Sequence, residues 1–143
     1  MEDHSKRTRM IVIGAFIIVA VFVGYLQGWN PQAIKMQSQI KDEFSILPLL
    51  VADAKPESAP SSGRKFASCY VDQDFHSTAD YAEVKQFFTD NLTALGWTLQ
   101  KETPSFGSYS ITELTFVKDD RKIIIDYSEK AGWRYSVWLQ WGS

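Results

Sequence analysis

The run MIVIGAFIIVAVFVGYL, Met10 to Leu26, carries no charge and no polar face, and it constrains this chain more than any other feature. As a helix rising 1.5 Å per residue it would reach roughly 25 Å, near the short end for crossing a membrane. Tyr25 and Trp29 stand at its far edge, where amphipathic rings favour the headgroup layer. Lys6, Arg7 and Arg9 precede the run, and no basic residue follows it before Lys35. By the positive-inside rule this predicts a single-pass protein of the cell inner membrane, with its N-terminus cytoplasmic and its C-terminal bulk extracytoplasmic. Residues 1–9 are then a cytoplasmic head, 10–26 a transmembrane signal anchor, 27–63 a juxtamembrane helix and linker, and 64–143 an extracytoplasmic domain.

Two other readings of the run are weaker. A cleaved signal peptide has a shorter apolar run and a small-x-small site after it, whereas Leu26-Gln27-Gly28 and Pro31-Gln32-Ala33 are poor sites. No cysteine ends the run, which argues against a lipoprotein anchor. A buried core helix without a polar face needs a larger protein around it. With 143 residues, the chain has room for the anchor and one small domain. A net charge of −2 and the lack of a basic stripe argue against a nucleic-acid partner. Cys69 is the single cysteine, so an internal disulfide is impossible, and a buried thiol is the expectation.

After the run, Pro31 suits a first helical position, and Met36, Ile40, Phe44 and Leu47 recur at helical spacing before Pro48 stops the pattern. This stripe suits the membrane surface, its own domain or a second copy. Leu49 to Ala52 reads as a short strand, and Lys55 to Gly63 as a turn-rich linker from which an edge strand can form. Phe66 to Asp72 alternates as a strand. Ser77 is the expected cap of a helix whose Tyr81, Val84, Phe88, Leu92 and Leu95 share a face and whose end is marked by Gly96. Trp97 to Lys101, Ser110 to Val117, Lys122 to Tyr127 and Trp133 to Trp141 then read as strands. The predicted fold class is α+β: one N-terminal transmembrane helix, then a two-layer β-α-β-β-β-β domain whose mostly antiparallel sheet is covered by one helix.

The soluble part resembles a type of uncharacterised bacterial membrane-anchored envelope domain. In that type a helix of the form Y-x-x-V-x-x-F-(Y/F) runs into LGW, followed by a charged hairpin and a closing W-x-Y-x-(L/V)-x-L-x-W-G. The matching residues are Tyr81, Val84, Phe87 and Phe88; Leu95-Gly96-Trp97; Lys118 to Lys122; and Trp133, Tyr135, Val137, Leu139, Trp141 and Gly142. The resemblance implies a membrane-tethered or secreted domain and brings no catalytic residues with it.

Chemistry is sparse. Asp72, Asp74 and His76 form the densest group of ligand-type residues and fall on one side of a continuing strand. A catalytic zinc site usually uses more histidines, and His4 is expected across the membrane. A solvated strand end is the better reading. Nucleophile elbows, phosphate loops and dinucleotide fingerprints are absent from the sequence. Glu113 and Asp126 are expected as paired carboxylates on neighbouring strands, facing water on the uncovered side of the sheet together with Thr112, Lys122 and Arg134. Trp138 is out of phase with its strand's apolar stripe, so with Arg134 and Ser136 it is the expected partner contact on that face. These features predict a tethered, non-enzymatic binding module with no cofactor, no metal and an envelope or membrane protein partner. The alternatives are an accessory subunit of a membrane complex, or a metal-dependent enzyme using Asp72, Asp74 and His76.

Overall fold

A computed structural model describes residues 13–24, 30–65 and 67–142. Residues 13–24 form helix α1. At 1.5 Å per residue these described residues span about 18 Å, against the ~30 Å of a bilayer's hydrocarbon core. No helix among the described residues is long and apolar enough to cross a membrane. The transmembrane helix in the expected fold class is therefore corrected, because the described helix falls short of the required length. The expected head at residues 1–9, and residues 10–12 and 25–29 of the apolar run and its far edge, lie outside the described residues.

The α+β class and the antiparallel sheet are present, with seven strands in place of the five of the expected β-α-β-β-β-β domain and two helices, not one, covering the sheet. Helix α2 (Pro31–Ile46) starts with Pro31 in its first turn, where a missing N–H costs nothing, and Asn30 caps it by accepting from Gln32 N at 3.0 Å. Strands β1 (Lys55–Pro56) and β2 (Ser61–Lys65) come from the expected linker, and both pair antiparallel with β3 (Ser68–His76). Helix α3 (Tyr81–Ala94) follows, then β4 (Thr98–Phe106), β5 (Ile111–Lys118), β6 (Arg121–Tyr127) and β7 (Tyr135–Trp141). The single seven-stranded sheet runs β1-β3-β7-β6-β5-β4, with β2 beside β1 on the same side of β3. Leu49 to Ala52 is not a strand. Its backbone is tied to Tyr135, whose hydroxyl donates to Leu49 O at 2.6 Å and accepts from Val51 N at 3.2 Å.

Helix α3 begins later than expected. Asp80, not Ser77, is its cap: Asp80 accepts from Glu83 N and Glu83 accepts from Asp80 N, a reciprocal capping box. The Ser77 hydroxyl instead donates to Asp53 and accepts from Ala79 N. The helix ends at Ala94, and Gly96 at φ +83 takes the left-handed turn that frees Trp97 to enter the core. Leu95, past that end, is turned out to solvent rather than joining the stripe.

Both α2 and α3 cover the same face of the sheet. Ala33, Ile40 and Phe44 of α2 and Val84, Phe88 and Leu92 of α3 are buried in one cluster with the inward residues of β3, β5, β6 and β7. Inward on β7 are Tyr135, Val137, Leu139 and Trp141; opposite them stand Phe75, Val71 and Cys69 on β3 and Tyr127, Ile125 and Ile123 on β6. Burying side chains of this size stabilises by about 1.5–3 kcal/mol each. Polar contacts lock the helices in place. Arg121 on β6 pairs with Glu43 of α2 at 2.5 Å, and Glu102 on β4 receives hydrogen bonds from Lys85 and Tyr81 of α3.

Candidate functional site

Strand alternation decides what the other face shows. With Tyr135, Val137, Leu139 and Trp141 inward, Ser136, Trp138 and Gln140 of β7 point away from the helices. The register places Asp72 opposite Trp138 and Asp74 opposite Ser136 on β3, and Ile124 opposite Trp138 and Asp126 opposite Ser136 on β6. Glu113 on β5 then stands opposite Asp126, on neighbouring strands as expected from the sequence. No described helix packs on this face.

Two features share the face. The first is aromatic: Trp138 is half-buried and its ring meets that of Tyr70 at 5.6 Å between centroids, tilted by 40°. Tyr70 lies over Gly63 of β2, where an added Cβ would come within 2.5 Å of the phenol oxygen. Only glycine leaves room for that ring. The second is acidic. Asp126 is crowded by burial first, then by the charges of Glu113 and Asp74, and these push its carboxyl up to about 6. Its Oδ1 is buried without a hydrogen-bond partner among the described residues, as is Ser136 Oγ.

The expected contact set is only partly brought together. Ser136 and Trp138 share the face, but Ser136 is buried. Arg134, just before β7, leaves that set: its Nε donates to Ser77 O at 3.1 Å and its guanidinium lies 6.0 Å from the centre of the Tyr127 ring. There it lines a small polar cleft with His76, Ser77, Ser128 and Glu129. Thr112 is also off the face, opposite inward-facing Tyr127, whereas Lys122 is on it. Tyr70, Gly63 and Asp74 belong to the surface, and the sequence does not group them with Trp138, because only the register of β3 against β2 and β7 joins them.

Asp72, Asp74 and His76 do share one side of β3, as alternation requires, but they are not gathered round one point. Asp72 accepts from the Ser61 hydroxyl and His76 faces Glu57 at 3.9 Å. Among the described residues no group of three or more His, Cys, Asp or Glu is placed to hold a metal ion. Cys69 is fully buried, and burial pushes its thiol up, away from the reactive thiolate. On the helix side, an open apolar pocket of about 470 Å³ lies among Leu47, Leu49, Leu50, Pro56, Phe75 and Phe87. Its lining offers Gln73 as the single polar side chain, and Gln73 Nε2 already donates to Ser58 O.

No protein-family model, curated protein or solved structure matches this chain.

Proposed function

We propose that the protein is a non-enzymatic interaction module that presents the helix-free face of its sheet to an extracytoplasmic envelope partner. The observation that carries this reading is the one-sided packing. Both α2 and α3 lie on one face, and the other keeps a half-buried Trp138–Tyr70 pair beside a row of carboxylates. A half-exposed aromatic pair on a face that no described helix covers is the kind of feature on which partner contacts centre. Support for attachment at a membrane surface comes from α1, whose Phe16, Ile18 and Val21 are more than 60% exposed (76%, 71% and 67%). The basic head and the resemblance to envelope domains point the same way.

A photocrosslinker at Gln140 or Lys122, on the open face, tests the reading against one at Gln86, on the exposed side of α3. The expected result is a discrete adduct from the open face, abolished by Trp138→Ala with thermal stability nearly unchanged. An adduct from Gln86 alone would contradict it.

A further inference from the structure

The open face carries a straight row of polar residues in cross-strand register. Asp74 on β3 stands opposite Ser136 on β7, Ser136 opposite Asp126 on β6, and Asp126 opposite Glu113 on β5. With strands about 4.8 Å apart, Asp74 and Asp126 flank Ser136 about 10 Å from each other, and the whole row runs about 14 Å. Ser136 is only 2% exposed, yet its Oγ has no hydrogen-bond partner among the described residues, and Asp126 Oδ1 shares that condition. Thr103 Oγ1 on β4, opposite Glu113, is a third; buried hydroxyls and carboxylates are normally satisfied, so three orphans in one strip point to a polar group arriving from outside. Arg121 and Lys85 make their ion pairs on the helix side, and Lys122 and Lys101, which share the open face, form no ion pair among the described residues. His76, also on this side of β3, faces Glu57.

We infer that this row seats basic side chains of a partner polypeptide, with an ammonium or guanidinium lying between Asp74 and Asp126 above Ser136 Oγ. An ammonium has three donors and no acceptor, which matches two carboxylates and one hydroxyl oxygen. Alternate residues of an extended segment are about 6.8 Å apart, so a second basic residue reaches Glu113 within the same row. A single metal ion fits poorly, because the charges are spread along the row and do not converge. The Trp138–Tyr70 pair, two positions along the same strands, offers an apolar platform to a residue flanking the basic ones. A free polyamine has no such residue. The inference rests on the interaction-module reading and names the chemistry of its occupant.

The test uses the full chain in an uncharged detergent with an acetylated, amidated Lys-Ser-Lys-Ser-Lys-Trp peptide as probe. Calorimetry is expected to show saturable binding that weakens with salt and falls at least tenfold in Asp126→Asn and several-fold in Ser136→Ala. The same peptide with Glu in place of Lys is expected not to bind. Retained thermal unfolding of each variant separates lost binding from lost folding. Equal binding by wild type and Asp126→Asn would overturn the inference. So would spermidine binding as tightly as the peptide, or stoichiometric calcium lost in Asp126→Asn. If open-face crosslinks at Gln140 persist while Asp126→Asn leaves them unchanged, the cationic occupant is wrong and the interaction reading stands. If no crosslink forms from that face, both fail.

Discussion

Asp126 holds its place against its own stability. Its carboxyl is raised from 3.8 to about 6 by burial and by Glu113 and Asp74. Because the folded value lies above the unfolded one, the native state binds the proton more tightly. This group's contribution is therefore fully favourable below about pH 4, declines between roughly pH 4 and 6, and is lost above. The shift of about two units corresponds to ~3 kcal/mol unscreened, and on the order of 1–2 kcal/mol once partial exposure is discounted. Asp126→Asn is accordingly expected to raise unfolding free energy by about 1–2 kcal/mol at pH 7.5 and by nearly nothing at pH 3.5, as read by urea denaturation at both values. Tyr135 behaves in the opposite way. Its ring stacks on Phe75 at 4.9 Å, and its hydroxyl holds both Leu49 O and Val51 N, with burial pushing its own ionisation up to about 12. Tyr135→Phe leaves a buried N–H and a part-buried C=O without their partner and is expected to cost about 1–3 kcal/mol in the same assay.

At the level of elements, what is legible in the sequence is local. The stripe Val84, Phe88 and Leu92 and the glycine after it announce α3 because a helix satisfies its own backbone within a few residues. The sequence alone misplaces the cap, at Ser77 instead of Asp80, because both are good caps and it is Asp53 and Glu83 that sort them into different roles. Asp80→Ala removes the capping box and is expected to cost about 1 kcal/mol, measured by thermal unfolding. β1 and β2 lie in and beside the turn-rich stretch where the sequence suggests no more than an edge strand, since they are strands only by pairing with β3. The Glu113–Asp126 pair is foreseeable because a two-residue turn at Asp119-Asp120 fixes its register. The Asp74–Ser136 and Tyr70–Gly63 relations depend on the closing strand and on β2 finding β3, which no local pattern encodes. Gly63→Val is expected to push the Tyr70 ring off β2, loosen its contact with Trp138 and weaken binding of the Lys-Ser peptide several-fold.

Across the whole molecule, the last strand in sequence sits in the middle of the sheet, between β3 and β6. β7 joins the β3 side of the sheet to the β6-β5-β4 side and supplies inward residues on which α2 and α3 converge. The same strand, read on its odd side, is buried core, and on its even side carries Ser136, Trp138 and Gln140 to the uncovered face. Helices lie on one face of the sheet and an aromatic–acidic surface on the other. The most direct measurement follows the tryptophan indole N–H signals by NMR while the Lys-Ser-Lys-Ser-Lys-Trp peptide is added to the isotope-labelled full chain. Trp138 is on the open face, whereas Trp97 and Trp141 are buried on the helix side, at 2% and 7% exposure. The account predicts that the Trp138 signal moves with the added peptide while those of Trp97 and Trp141 stay in place. Movement of Trp97 and Trp141 with a stationary Trp138 would contradict it.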